Sequence, residues 1–163
     1  MAKNKEEKTN VMRVLEQKKI AYTAHTYPHE EGMAVDGVTV AKSMGFDPAI
    51  VFKTLVARGA SKQYYVFDVP VAENLDLKKA AKAVGEKSIE MIHQKELLPL
   101  TGYVHGGCSP VGMKKLFPTV IDASAENLET MIVSAGKIGY QVELSPRDLA
   151  ALVRAKFADI IVE

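Results

Sequence analysis

A lysine stands in the middle of the most β-prone stretch of this chain. Lys53 lies within Val51-Phe52-Lys53-Thr54-Leu55-Val56, and strand alternation puts it on the same face as Val51, Leu55 and Ala57. Both faces of that strand are largely apolar. The ammonium must therefore reach water through a pocket or lose part of its hydration, which lowers its pKa or makes it a strong local cation. Two readings stay open here: a functional cation, and an edge-strand lysine that blocks aggregation.

A second feature is the corner Gly106-Gly107-Cys108-Ser109-Pro110-Val111-Gly112, with three glycines, a serine and a proline in seven residues. Such a corner can turn backbone N–H groups toward one point and hold an oxyanion or phosphate. It also suits a tight strand-to-helix connection whose glycines serve only positive φ. Lys114 and Lys115 are not spaced as a P-loop requires. Ser134-Ala135-Gly136-Lys137 is another small-residue turn after a strand. Cys108 reads as a nucleophile only if a base is oriented on it, and His105, near in sequence, has nothing to orient it. An inert thiol is the better reading. His25 and His29 do not make a metal pair, because histidines four apart converge on a helix and Pro28 intervenes. Tyr22 and Tyr27, beside His25, either line a pocket or belong to the core with the hydroxyl at the surface.

The elements that position these residues follow from periodicity. Val11, Val14, Leu15 and Lys18 mark an amphipathic helix that Thr9 or Asn10 can cap. Residues 21–27 read as a strand stopped by Pro28, 29–35 as a loop, and 39–44 as a short helix between Asp36 or Gly37 and Gly45. Residues 51–58 and 63–69, separated by Gly59-Ala60-Ser61-Lys62, predict a hairpin. A helix capped by Asp76 and closed by Gly85 precedes a strand at 88–92, and another helix covers 94–98. Strands are predicted at 119–122, 130–133 and 139–144. Ser145-Pro146-Arg147-Asp148 starts a helix to about Ala155, and 157–162 is a last strand. Hairpins mixed with crossover helices predict an α+β fold: a mixed β-sheet, partly curled toward a barrel and surrounded by helices.

Bulk properties narrow the function. The 163 residues are 47% hydrophobic and 25% charged, which is ordinary for one globular domain, here taken as residues 1–163. A chain of this size buries about 70% of its unfolded surface and needs no metal or disulfide to form a core. With 21 basic and 20 acidic residues the net charge is +1, so bulk charge does not drive binding to nucleic acid or membrane. The lone cysteine fits a reducing compartment, the first eight residues have no apolar leader, and no stretch approaches the roughly 18 apolar residues of a membrane span. A cytoplasmic protein without cofactor or membrane attachment is expected.

The motifs together resemble one family. The His25-Thr26-Tyr27 and Val51-Phe52-Lys53-Thr54-Leu55 strands, Leu77-Lys78-Lys79-Ala80-Ala81-Lys82, Thr101-Gly102-Tyr103, the Gly106–Gly112 corner, Val133-Ser134-Ala135-Gly136 and Leu144-Ser145-Pro146-Arg147-Asp148-Leu149 occur in the order seen in the YbaK/EbsC family of bacterial prolyl-tRNA editing proteins. The resemblance spans nearly the whole chain. It implies a free-standing Cys-tRNA(Pro) deacylase, which removes cysteine wrongly attached by prolyl-tRNA synthetase, with the family's partly closed barrel. It also implies roles: Lys53 as the essential lysine, Tyr27 and Thr54 as pocket residues, Ser134 and Gly136 as the loop closing the opposite side. Gly106, Gly107 and Ser109 fall on a Gly-Gly-x-Ser-Pro loop that meets the aminoacyl group and terminal adenosine. Cys108 occupies that loop's open position, and Ala135 stands where the family often has glycine.

The chemistry has its own logic. Without a nucleophile, base and orienter set, or a metal cluster, an ester-cleaving enzyme must work by positioning and charge stabilisation. A cysteinyl ester carries its own thiol, whose attack on the carbonyl would release the tRNA and a cyclic thioester. The expected partners are the 3′ end of mischarged tRNA(Pro) and prolyl-tRNA synthetase. Alternatives are a non-catalytic module that binds tRNA or synthetase, and a deacylase for Ala-tRNA.

Overall fold

The computed structural model describes residues 8–30 and 32–163. The leader reading of the first residues and one position of the 29–35 loop, Glu31, fall outside them. Helix α1 (Asn10–Gln17) begins where the Thr9 hydroxyl accepts a hydrogen bond from the Met12 N–H, and buries Val11, Met12 and Leu15. Strand β1 (Tyr22–Thr26) follows, then α2 (Gly37–Ser43), capped by the Asp36 carboxylate. A 3₁₀ turn at Pro48–Ile50, capped by Asp47, leads into β2 (Phe52–Gly59) and β3 (Tyr64–Pro70). The hairpin between them closes with Lys62 in the left-handed region, at φ 79°.

The chain continues through α3 (Leu77–Val84), β4 (Ile89–Met91), α4 (Gln94–Thr101), β5 (Thr119–Asp122), β6 (Met131–Ser134), β7 (Tyr140–Leu144), α5 (Pro146–Val153) and β8 (Lys156–Ala158). Two boundaries differ from the sequence reading by three residues or more. Helix α4 runs three residues past Leu98, through Pro99, because the Thr101 hydroxyl donates to the Leu97 carbonyl at 2.8 Å and Gly102 ends the helix in the left-handed conformation. Strand β8 stops at Ala158, and beyond it Ile161 bridges to Leu75 rather than extending the ladder.

The strands form two sheets. Order β1-β7-β6 is antiparallel throughout, and β4-β2-β3-β5-β8 is mixed, with β3–β5 and β5–β8 parallel. An isolated parallel bridge from Val51 to Ile132 links them. The result is the expected helix-surrounded mixed α+β architecture, with no closed barrel among the described residues. The largest core cluster packs α1 and α5 against the inner faces of both sheets, through Leu15, Ile121, Met131, Leu144 and Leu149. Truncating one of those leucines to alanine removes about 2–5 kcal/mol in such a setting. A second cluster seats α3 (Ala80, Ala81) on Ala57, Phe67 and Val69.

Candidate active site

Strand β2 creates the site by being paired unevenly. It meets β3 along Phe52–Arg58, whereas β4 covers only Ala57–Gly59 on its other edge. Among the described residues, Phe52–Leu55 therefore have no ladder partner on that side, and a cavity of about 290 Å³ is lined by this stretch. Tyr27 at the end of β1, Val40 of α2, Leu97 of α4, His105, Gly106 and Cys108 of the connecting loop, and Ser134 and Gln141 of the smaller sheet complete its wall. Its volume is close to the lower end of small-molecule pockets, roughly 300 Å³.

Five of the residues picked from sequence line this cavity: Lys53, Tyr27, Thr54, Gly106 and Ser134. Gly107, Ser109 and Gly136 do not, and instead hold the loops that shape it. Ser109 is fully buried, and its hydroxyl accepts the Val111 N–H at 3.2 Å. A Cβ on Gly107 would sit 3.1 Å from the Ile138 backbone nitrogen, so the two small-residue loops touch there. Gly136 has φ +92° and would meet the Tyr103 ring at 2.9 Å. Tyr103 in turn donates to the Val111 carbonyl at 2.5 Å, which ties the 134–139 turn to the 106–112 corner. The glycines thus serve close approach as well as positive φ. The Ser134 hydroxyl accepts the Gly136 N–H at 3.1 Å and lies in register with Gln141.

Electrostatically the cavity is uneven. Lys53 is half-buried and has no hydrogen-bond or ion-pair partner among the described residues. Desolvation lowers its pKa, with Glu73 opposing from a distance. Cys108 is the reverse of an activated nucleophile: burial, then the charge of Asp68, pushes its thiol up to about 12. His25 is engaged with Glu143 at 2.8 Å and His29 with the Tyr27 carbonyl at 3.1 Å, so each histidine has a local structural role.

Two polar residues were missed from sequence. Asp68, fully buried on β3, accepts the Thr54 hydroxyl at 2.5 Å, and burial raises its pKa to about 7 against the lowering effect of that bond. Gln141 lines the cavity. Asp68 Oδ2 and Gln141 Oε1 are the buried side-chain oxygens without a hydrogen-bond partner among the described residues. A carboxylate inside a strand of β-formers was the available signal for Asp68, by the reasoning that singled out Lys53.

A mixed α+β domain whose cavity holds an unpaired lysine between small-residue loops and, among the described residues, no activated protein nucleophile suits binding of a small polar group. The aminoacyl-tRNA editing domain family matches residues 29–152, and the chain belongs to it, within the YbaK/EbsC group whose motifs it carries. An Enterococcus faecalis protein, EbsC, provisionally named a Cys-tRNA(Pro)/Cys-tRNA(Cys) deacylase, is 45% identical over 161 residues, covering 98% of each chain. The crystal structure of a protein provisionally assigned as a trans-editing enzyme for prolyl-tRNA synthetase superposes with TM-score 0.79 at 25% identity, over 94% of this chain and 95% of that one. A hypothetical protein at 20% identity gives TM-score 0.82 over 93% and 99%, which speaks to fold alone.

Proposed function

We propose that the protein is a free-standing aminoacyl-tRNA deacylase, acting as one domain, that removes cysteine from Cys-tRNA(Pro). The observation that carries this reading is a cavity of about 290 Å³ holding an unpartnered, half-buried Lys53 while the thiol on its wall is held neutral by burial. Such a site accepts an aminoacyl ester and stabilises negative charge, but supplies no attacking group of its own. The substrate's thiol fills that role.

In the proposed reaction the cysteinyl sulfur attacks its own carbonyl carbon and the ester carbon–oxygen bond breaks. The thiol proton passes to the departing tRNA 3′-oxygen. The resulting cyclic thioester is opened by water to free cysteine. Lys53 polarises the carbonyl oxygen, and backbone N–H groups of the Gly106–Cys108 turn assist. The Gly107 N–H is already bonded to the Val104 carbonyl at 2.9 Å, so its neighbours serve. Holding sulfur and carbonyl in one small cavity raises their effective concentration enough to replace a catalytic base. Tyr27, Thr54 and Ser134 position the aminoacyl group.

With a net charge of +1, intrinsic tRNA affinity is low. In this reading the protein works in the cytoplasm, and prolyl-tRNA synthetase presents the mischarged tRNA to make up for that weak affinity. The test is deacylation of tRNA(Pro) charged with cysteine, serine or alanine. Cysteine should react fast, serine slowly and alanine barely, because only a thiol ionises readily near neutrality. Equal rates for alanine and cysteine would make water the attacking group and defeat the cyclisation route.

A further inference from the structure

Asp68 has no part in that reaction, yet its placement is costly. It lies on β3 in register with Thr54 of β2, and among the described residues no cation pairs with it. A buried carboxyl held by one hydroxyl, with its second oxygen unpartnered, is unfavourable beside any apolar residue of similar size. The groups facing it are few. Cys108 of the 106–112 corner feels its charge and is in turn electrostatically coupled to Tyr103. Lys53 adjoins Thr54 on β2, and the register partner on β5 is the apolar Ile121.

The Thr54–Asp68 hydrogen bond has two forms. When Asp68 is a carboxylate, the only proton between the two oxygens belongs to Thr54, whose hydroxyl then presents lone pairs to the cavity. When Asp68 is neutral, it donates to Thr54, and the threonine's own hydrogen is released toward the cavity. The 2.5 Å separation fits the charge-assisted form. We propose that Asp68 is a positioning residue that sets the polarity of Thr54: as a carboxylate it makes Thr54 a hydrogen-bond acceptor for the α-ammonium of the aminoacyl ester. The identity of that ligand rests on the deacylase reading. The coupling between Asp68 and Thr54 does not.

Because burial brings the Asp68 pKa to about 7, both forms are populated near neutral pH. The kcat/KM of the wild type, divided by that of Asp68→Asn to cancel titration of the substrate, should rise with pH through about 7. Thr54→Val should lower kcat/KM about 10- to 100-fold, mainly through KM, and flatten this dependence. In the Thr54→Val background, Asp68→Asn should cost less than about 2-fold more. An Asp68→Asn loss as large in that background as in the wild type would overturn the proposal. If Asp68→Asn does not fold, the ratio of the wild-type to the Thr54→Val pH profile decides it, since substrate titration cancels there: the ratio should rise through about 7, and a flat ratio counts against. A binding-independent reading is the titration of the Asp68 carboxyl carbon by NMR in the free protein. Its midpoint should move up in Thr54→Val, and an unchanged midpoint would overturn the coupling. Failure of the wild type to deacylate Cys-tRNA(Pro) would instead defeat the substrate reading, leaving this titration to judge Asp68.

Discussion

Lys53 and Lys79 are both drawn against the body of the protein, and they are treated in opposite ways. Lys79, on α3, donates to both Asp159 oxygens at 3.2 and 3.0 Å, to the Ile161 carbonyl at 2.9 Å and to Glu163 at 3.4 Å. Its pKa is raised, chiefly by Asp159. Lys53 has only the distant pull of Glu73, and burial lowers its pKa. One charge fastens the last residues of the chain onto a helix. The other is left unneutralised beside a cavity, open to a ligand's negative charge. The same contrast separates two carboxylates: Glu143 is tied to Thr130 and His25 and lowered, whereas Asp68 has only the Thr54 hydroxyl and burial raises it. Residue type alone does not mark a functional group; an uncompensated environment does.

Replacing the lysines should separate these roles most sharply. Lys53→Ala should slow Cys-tRNA(Pro) deacylation about 30- to 1000-fold, the loss of about 2–4 kcal/mol of transition-state stabilisation. Its thermal unfolding should stay close to wild type, and a folded variant with wild-type turnover would remove Lys53 from the mechanism. Because the cation is the active form, wild-type activity should also fall at alkaline pH below the range of an ordinary lysine.

Next in size is the carboxylate pair. The unfolded Asp68 titrates near 3.8 and the folded one near 7, so the folded state binds the extra proton between those values. Stability from this group is full below about pH 4 and is lost as pH rises to about 7, by on the order of 3 kcal/mol. Urea unfolding of Asp68→Asn should lack that loss. Glu143, with its pKa lowered, gives the opposite slope: its contribution is present above the unfolded value and disappears on acidification. Wild-type and Asp68→Asn stabilities that run parallel from pH 4 to 8 would contradict the assignment.

Lys79→Ala should lower Tm slightly, by less in high salt, since its partners are exposed, and should leave deacylation unchanged. A fall in activity there would erase the distinction between fastening and functional lysines. The smallest effect is expected for Cys108→Ala, which should keep most of the activity. A thiol held at about 12 should resist a maleimide at pH 8 until the protein unfolds. A loss above about 100-fold without unfolding would point to a protein thiolate as the attacking group.

Much of the fold was legible because its signals are local. Asp36, Asp76 and Ser145 cap the helices they precede, and the Gly59–Lys62 loop closes the hairpin it separates. Lys53 was legible for a related reason, since a cation among β-formers conflicts with its surroundings. Asp68 carried a weaker form of the same signal, because it directly precedes Val69-Pro70 at the end of its strand. Its burial depends on β5 pairing in parallel from some fifty residues away, with Ile121 as its register partner. Gln141 reads as an ordinary strand residue until β6, β7 and the cavity are seen together. The Gly106–Gly112 corner carried two readings, and the contacts of Gly107 with Ile138 and of Gly112 with the Tyr103 hydroxyl give the structural one its due.

The pairing of β1 with β7 bears on how the molecule is made. His25 and its partner Glu143 are 118 residues apart. At a synthesis rate of about 5–20 residues per second, β1 leaves the ribosome roughly 6 to 24 s before the strand it must join. Until then Tyr27 has no sheet to hold it, and its N–H lacks the Gly139 carbonyl that anchors it at 3.0 Å. Closing a loop of that length is slow compared with forming the β2–β3 hairpin. The cavity therefore waits for β7, with only α5 and β8 still to follow, and a nascent chain that ends before Tyr140 lacks the strand that completes the site.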